Sequence, residues 1–197
     1  IGSGLLSHLA RRGYKRRAVI LNDTVATLLA GKSAGVARDY SAYVGFILGT
    51  GTNTAYVEHH SRITKRADLD KQGSMVINVE SGAFGRITQS QFDKLMDAAT
   101  NDCGHYTFEK MISGAYLGWL GSVVLAEAAR AGFFSPSGTA GIASLKTVSN
   151  KHLDDFCGGK PGSDNPLLGA AFTAEDRATV VRLCTPVYAR AAVLTAV

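Results

Sequence analysis

A short glycine-rich segment between two apolar runs constrains the fold of this chain most strongly. Residues 43–48 and 54–57 are the apolar runs, and Gly-Thr-Gly-Thr-Asn at residues 49–53 joins them. This pattern predicts a β-hairpin with a tight turn. Glycines let backbone amides approach an anion closely, and threonine hydroxyls add donors, so the turn is suited to phosphate oxygens. On its own, the segment leaves a plain β-turn without a ligand as the alternative.

The composition is that of a globular protein. Of the 197 residues, 46% are hydrophobic and 19% are charged, which argues against disorder. The sequence has no apolar run long enough to span a bilayer, and its first residues lack the basic start and apolar centre of a signal peptide. The three cysteines form no CxxC pair, which favours free thiols in a reducing compartment. We therefore expect a cytoplasmic protein with no membrane partner.

A basic cluster near the start of the chain supplies much of the net charge of +5. Its members are Arg11, Arg12, Lys15, Arg16 and Arg17. Such clusters can bind nucleic acid, although charge runs are usually solvated helix ends and loops. Because only one aromatic residue, Tyr14, lies among them, we favour the solvated interpretation and expect no nucleic-acid partner. A salt-dependent DNA shift assay would test the alternative.

Hydrophobic periodicity predicts strands in the first half of the chain and helices in the second. Helices are expected at residues 2–12 and 25–29, and strands at residues 18–21, 43–48, 53–58 and 74–79. Later helices are expected at residues 89–99, at 106–130, and from a capping box at Thr173 and Asp176 to the chain end, with a kink or an interruption near Pro186. Residues 132–141 and 157–162 are expected to be loops. This order of elements predicts an α/β or α+β fold.

Several polar side chains fall near the ends of the predicted elements. Asp23 follows a predicted strand and begins a helix, which is a junction where α/β sheets bind ligands. Asn53 ends the glycine turn, Glu80 follows the last strand, and Glu109 lies one turn into the long helix. Carboxylate and amide oxygens accept hydrogen bonds from sugar hydroxyls. Each residue also has a plain alternative, a helix cap for Asp23 and a turn, loop or helix-start role for the others.

Four segments, in the same order along the chain, resemble the hexokinase family. LNDTVATLLA at residues 21–30 resembles the catalytic-base segment, and GTGTN at residues 49–53 resembles the second phosphate loop. INVESGAFG at residues 77–85 resembles the sugar-binding strand and loop, and FEKMISGAYLG at residues 108–118 resembles the start of the long helix. The chain is thus similar to a large-lobe fragment of the eukaryotic-type hexokinases and glucokinases.

The resemblance implies an α/β fold of the ribonuclease-H-like, actin-like ATPase type. Residues 1–197 would form an incomplete large (C-terminal) lobe, in which a mixed sheet is flanked by helices. The small lobe, the first phosphate loop and the adenosine-binding end are expected to lie outside the given chain. We therefore expect the isolated chain to be inactive.

The implied activity is phosphorylation of a hexose, with glucose as the first candidate, at its 6-hydroxyl, as in glycolysis. The implied partners are the hexose and Mg-ATP, with Mg²⁺ entering on the nucleotide and no metal held by the protein alone. The resemblance assigns the general base to Asp23. It assigns sugar contacts to Asn22, Asn53, Glu80 and Glu109, and phosphate contacts to Gly49, Thr50, Gly51 and Thr52.

The chain departs from the family pattern at three places. Ala26 stands where the family usually has Gly, and Ser81 stands where it usually has Trp. CGHY at residues 103–106 replaces a Pro-Gly-Lys-Gln run, so Tyr106 stands at a usual sugar-binding glutamine. These departures leave the preferred hexose open. They also leave a second hypothesis, a non-catalytic sugar-binding regulator, and the sequence does not indicate the oligomeric state.

Overall fold

The structure is a computed structural model that describes residues 2–14, 19–35, 40–145 and 148–196. The chain divides into two compact units. The first unit comprises Ile1–Phe46 and Thr54–Val79, and the second comprises Ile47–Asn53 and Glu80–Val197. Of the basic cluster, Arg11 and Arg12 are exposed, whereas residues 15–17 lie outside the described residues.

Two helices belong to the first unit. Helix α1, Gly2–Arg11, ends before Gly13, whose φ of 85° is the left-handed conformation that glycine adopts without strain. Helix α2, Asp23–Ala34, begins at an Asn22 cap and runs past Gly31, where the sequence pattern predicted its end. Both predicted helices are therefore confirmed, and the second is longer than expected.

Three strands form one sheet in the order β1-β2-β3: β1, Val44–Leu48; β2, Thr52–His59; and β3, Ser74–Asn78. Strands β2 and β3 are antiparallel, with Tyr56 opposite Ile77. The predicted strands at residues 43–48, 53–58 and 74–79 are confirmed within a residue at each end. Helix α2 lies close against β1, because a Cβ atom at Gly45 would be 2.7 Å from the Thr24 carbonyl oxygen. This close approach fixes α2 on the sheet.

The predicted buried strand at residues 18–21 is wrong for residues 19–21, and Ala18 lies outside the described residues. Val19, Ile20 and Leu21 are 78%, 55% and 46% exposed and have no strand partner in the described sheet. An apolar run reports only side-chain polarity, whereas a strand needs a neighbouring backbone to pair with. Asp23 therefore begins a helix, but the segment before it is not a strand.

The second unit is helical apart from its share of the hairpin. Its helices are α3, Gln91–Ala98; α4, Thr107–Ile112; α5, Gly114–Arg130; α6, Pro136–Ser144; α7, Asn150–Cys157; and α8, Ala174–Ala196. Short 3₁₀ helices lie at His60–Arg62, in the first unit, and at Ser81–Ala83 and Pro166–Leu168. Helix α8 is uninterrupted at Pro186, and its predicted capping box is confirmed by hydrogen bonds in both directions between Thr173 and Asp176. The described part of the chain contains no helix with the length and apolar character needed to cross a membrane.

Two other predictions for the second unit are wrong. The predicted loop at residues 132–141 contains most of α6, which starts with a Ser135 cap and with Pro136 in the first turn. The predicted helix at residues 106–130 is two helices, α4 and α5, separated by Ser113 in an extended conformation. The break occurs because the first amides of α5 donate to the glycine turn, as described below, instead of to α4.

Helix α5 lies at the centre of the core of the second unit. One apolar cluster includes Leu125, Leu153 and Val180, and the other includes Met96 and Leu120, all nearly inaccessible to solvent. Burying each such side chain contributes roughly 1.5–3 kcal/mol. The three cysteines are free thiols, as predicted.

An ion pair between the buried Asp93 and the half-buried Arg190 joins helix α3 to helix α8. The two terminal nitrogens of Arg190 donate to the two carboxylate oxygens of Asp93 at 2.7 and 2.8 Å. Burial alone would raise the pKa of the Asp93 carboxyl, but hydrogen bonds from Arg190 and Ser90 outweigh burial and hold that pKa below its usual range. Ser90 also caps α3, so the same carboxylate fixes the start of α3 and its contact with α8.

Candidate active site

The glycine turn presents two backbone amides on one side. Gly49 N–H donates to the Gly51 carbonyl at 2.9 Å and closes the turn. The carbonyls of Gly49 and Thr50 accept from Gly114 N–H at 2.8 Å and Ala115 N–H at 3.2 Å, at the start of α5. Because a trans peptide holds its C=O and N–H on opposite sides, the amides of Thr50 and Gly51 point away from α5. Two adjacent amides beside the positive end of a helix favour an anion.

Thr52 and Glu109 anchor the same turn from inside the protein. Thr52 is 6% exposed, its N–H donates to Glu109 Oε2 at 2.8 Å, and its hydroxyl donates to the Ile47 carbonyl at 3.0 Å. Thr50, by contrast, is exposed. The structure therefore gives Thr52 a role in holding the turn. The assignment of phosphate contacts to Gly49, Thr50, Gly51 and Thr52 stays a prediction.

Asn53 connects the hairpin to the loop that follows β3. Its amide nitrogen is 3.5 Å from Glu80 Oε1, and its amide oxygen is 3.4 Å from the Ser81 nitrogen, which donates to it. Glu80 has a φ of 56°, in the left-handed region. A non-glycine residue in that conformation costs about 1–3 kcal/mol and persists only where its surroundings hold it. The loop is therefore held in a strained conformation next to Asn53.

The 80–84 loop packs against the first turn of α4. A Cβ atom at Gly82 would be 3.0 Å from the Thr52 carbonyl oxygen and 3.2 Å from Glu109 Cβ. The Thr107 hydroxyl donates to the Phe84 carbonyl at 3.2 Å. The structure thus brings Asn53, Glu80, Glu109 and the glycine turn into one cluster of the second unit.

Lys110, the residue after Glu109, was not singled out by the sequence pattern. It is 1% exposed, and its ammonium group donates to Asp97 Oδ1 at 2.7 Å, to Asp102 Oδ1 at 2.9 Å and to Thr100 Oγ1 at 2.9 Å. Burial alone would lower the pKa of Lys110, but its hydrogen bonds to Asp102 and Asp97 outweigh burial and raise it. This network fixes the segment that leads into α4.

Tyr106 is the N-cap residue that precedes α4, and it is the second residue with a left-handed conformation. Its φ is 51°, and 42% of its surface is exposed. Within the described ranges, Glu80 and Tyr106 are the non-glycine residues with positive φ. Strained residues of this kind cluster at functional sites.

Asn22 and Asp23 lie in the first unit, at the start of α2. Asn22 is the cap, because its side chain accepts from Thr24 N–H at 2.9 Å, and Asp23 is the first helical residue. The alternative role of Asp23 as the cap is therefore wrong. Asp23 Oδ1 accepts from the same Thr24 amide at 2.8 Å, and the described residues offer no donor to Oδ2. Thr24 is fully buried, so the exposed carboxylate is attached to a fixed backbone.

The described residues contain no group of three or more His, Cys, Asp and Glu side chains that could hold a metal ion.

Comparison with known proteins decides the family. The family model described as hexokinase matches residues 43–197. The chain belongs to the hexokinase family. It is 34% identical to Hexokinase-1 of Oryza sativa subsp. japonica, over 98% of this chain and 41% of that protein. It is 31% identical to Hexokinase-1 of Rattus norvegicus, over 96% of this chain and 22% of that protein. Asp23 lies outside the family-model match but inside these two longer matches.

Solved hexokinases have the same fold. A hexokinase from Schistosoma mansoni complexed with glucose superposes with a TM-score of 0.75 at 29% identity, covering 97% of this chain and 45% of that chain. The predicted actin-like ATPase fold is thereby confirmed. The chain spans less than half the length of these relatives.

Proposed function

We propose that the hexokinase containing this chain transfers the γ-phosphate of Mg-ATP to the 6-hydroxyl of a hexose, with glucose as the first candidate. One observation carries the proposal. The turn whose Thr50 and Gly51 amides point outward packs against side-chain oxygens that can accept hydrogen bonds from sugar hydroxyls. A sugar kinase needs hydrogen-bond donors to phosphate oxygens next to hydrogen-bond acceptors for sugar hydroxyls. Family membership and the glucose complex of the Schistosoma mansoni relative support the same assignment.

In the second unit, the hexose contacts of this proposal are Asn53, Glu80 and Glu109. The hexose contact of Asn22, in the first unit, rests on the family resemblance alone. Sugar hydroxyls are donors, and ionised carboxylates accept hydrogen bonds about twice as strong as those between neutral groups. Glu80 is exposed, its backbone has a left-handed conformation, and its carboxylate contacts the Asn53 amide. Acceptors that are already ordered before the ligand binds reduce the entropic cost of binding.

The phosphate subsite is the turn itself. The amides of Thr50 and Gly51 would donate to phosphate oxygens, and the exposed Thr50 hydroxyl would add a third donor. The start of α5 behind the turn contributes positive potential, which favours the charge that develops during transfer. Phosphoryl transfer depends mostly on such positioning and charge stabilisation.

Asp23 would act as the general base. As the 6-hydroxyl oxygen forms its bond to the γ-phosphorus, the bond from that phosphorus to the bridging oxygen of ADP breaks. The hydroxyl proton passes to Asp23 Oδ2, the carboxylate oxygen without a donor among the described residues. Lobe closure in the full-length enzyme would exclude water and limit ATP hydrolysis.

A coupled assay on the full-length protein, with glucose and Mg-ATP, tests this proposal. We expect hexose-dependent ADP formation, and a panel of hexoses would rank the substrates. Tyr106, which stands at a usual sugar-binding glutamine, motivates one rival: a sugar-binding regulator whose kinase site is degraded. Glucose binding in calorimetry without ADP formation from any hexose would overturn the kinase proposal and support that rival.

A further inference from the structure

Glu109 contacts the phosphate turn as well as lying in the proposed hexose subsite. Its Oε2 accepts the Thr52 N–H at 2.8 Å. We propose that Glu109 is a positioning residue for the phosphate turn, and that its carboxylate couples hexose binding to nucleotide binding. This inference rests on the proposed function and adds a second role to a residue assigned only to the sugar.

The packing around the carboxylate leaves it little freedom. A Cβ atom at Gly51 would lie 2.6 Å from Glu109 Oε2, and one at Gly82 would lie 3.2 Å from the same oxygen. The carboxylate therefore fits between two glycines, one in the turn and one in the 80–84 loop. The missing Cβ atoms at both glycines leave the space that the carboxylate fills beside the Thr52 amide.

The backbone near Glu109 holds the rest of the turn. Within residues 109–115, the carboxylate of Glu109 binds Thr52 N–H, and the amides of Gly114 and Ala115 bind the two turn carbonyls. One short segment thus fixes three backbone groups of the turn. The fully buried Lys110 fixes that segment in turn, because its ammonium group is hydrogen-bonded to Asp97.

This arrangement predicts coupling between the two ligands. A hexose hydroxyl that donates to Glu109 would order the same carboxylate that orders the turn. The nucleotide would then meet a turn that is already fixed, so each ligand should increase the affinity for the other by the same factor. A residue that touched only the sugar would leave nucleotide affinity in the absence of hexose unchanged.

The test is isothermal titration of the full-length protein with Mg-AMPPNP, first without hexose and then with saturating glucose. For Glu109→Ala without hexose, we expect the Kd of Mg-AMPPNP to rise about tenfold, because a charge-assisted hydrogen bond to the turn is lost. For Glu109→Gln we expect about a threefold rise, because the amide oxygen still accepts but carries no charge. The effect of glucose on the Kd should disappear in Glu109→Ala.

Glu175→Ala is the matched control, since Glu175 is an exposed glutamate in the first turn of α8. Its Kd should equal that of the wild type. If Glu109→Ala fails to fold, Gly51→Ala gives the same measurement, because the added methyl group would push the carboxylate off Thr52 N–H. For that variant we expect about a fivefold rise in Kd.

The coupling proposal is overturned if the Glu109 variants weaken glucose binding but keep the wild-type Kd for Mg-AMPPNP without hexose. The failure of the proposed function looks different. A wild-type protein that binds Mg-AMPPNP but phosphorylates no hexose would sink the kinase assignment, while the role of Glu109 in holding the turn would still be measurable from the same titrations.

Discussion

Replacement of Lys110 by methionine should destabilise the protein far more than replacement of an exposed lysine. The substitution keeps most of the apolar stem of the side chain but removes the terminal ammonium group that pairs with Asp97 and Asp102. The Asp97 side chain is 8% exposed, so water cannot replace the lost ammonium group, whereas the Asp102 side chain is 43% exposed and can be solvated. Breaking a buried pair by removing one partner costs about 3–5 kcal/mol, and we expect a value near the lower limit.

A loss of about 3 kcal/mol corresponds to a fall of roughly 5–10 °C in the melting temperature of the full-length protein. Differential scanning fluorimetry measures it, with Lys94→Met as the control, because Lys94 is an exposed lysine of the neighbouring helix α3. Amide exchange at Gly104 adds a local readout, because its N–H donates to Asp97 Oδ2 at 2.9 Å. That exchange should accelerate in Lys110→Met and not in Lys94→Met.

A double variant separates lost attraction from lost packing. Asp97→Asn combined with Lys110→Met leaves neither member of the closest pair as an isolated buried charge. The double variant should therefore lose less folding stability than the sum of the losses of the two single variants, by about 1–3 kcal/mol. The reasoning is refuted if Lys110→Met melts within about 2 °C of Lys94→Met, a shift that corresponds to about 1 kcal/mol or less. It is also refuted if the losses of the two single variants add.

Two further predictions concern stability. Burial would raise the pKa of the Asp176 carboxyl, but hydrogen bonds from Ser135 and Thr173 lower it to about 2. About 2 kcal/mol of folding stability is therefore present at pH values above the unfolded-state pKa, and it is lost as the pH falls from about 4 to 2. Acid melts should show that loss for the wild type and a smaller one for Asp176→Asn, with Glu175→Gln as the neighbouring control. Gly118→Ala should cost about 1–3 kcal/mol or more, because its Cβ would lie 2.4 Å from the Asn150 nitrogen; a melting temperature equal to that of the wild type would contradict this.

Local patterns predicted the elements whose stability is local. The hairpin strands follow from apolar runs on either side of a glycine turn, and the start of α8 follows from the spacing of Thr173 and Asp176. Helix α6 had a readable start signal in Ser135 and Pro136, but the glycines and serines around it favoured a loop.

Long-range contacts decided what the sequence pattern missed. The break at Ser113 depends on amides of α5 donating to the carbonyls of Gly49 and Thr50, each 65 residues earlier in the chain (114 − 49 and 115 − 50). The apolar residues 19–21 have strand composition but no strand to pair with in the described sheet. Periodicity reports which side chains avoid water, and it carries no information about the partner of a backbone group.

The candidate site shows the same division. Asp23, Asn53, Glu80 and Glu109 could be proposed from the sequence because each lies at the end of a predicted strand or turn, or in the first turn of a predicted helix. The hydrogen bond from Thr52 N–H to the Glu109 carboxylate could not be predicted from the sequence, because it joins residues of two distant segments. The strained conformation of Glu80 was equally hidden, since no sequence rule places a glutamate in the left-handed region.

The most direct test of the proposed chemistry compares Asp23→Ala with the wild type in the full-length protein. The two quantities to measure are kcat for hexose phosphorylation and the Kd for glucose, with Asp164→Ala, an exposed loop aspartate, as the control. We expect kcat to fall about 10²–10⁴-fold, because the general base is lost, while glucose binding stays detectable. A variant that retains near-normal turnover would contradict the assignment of Asp23 as the base.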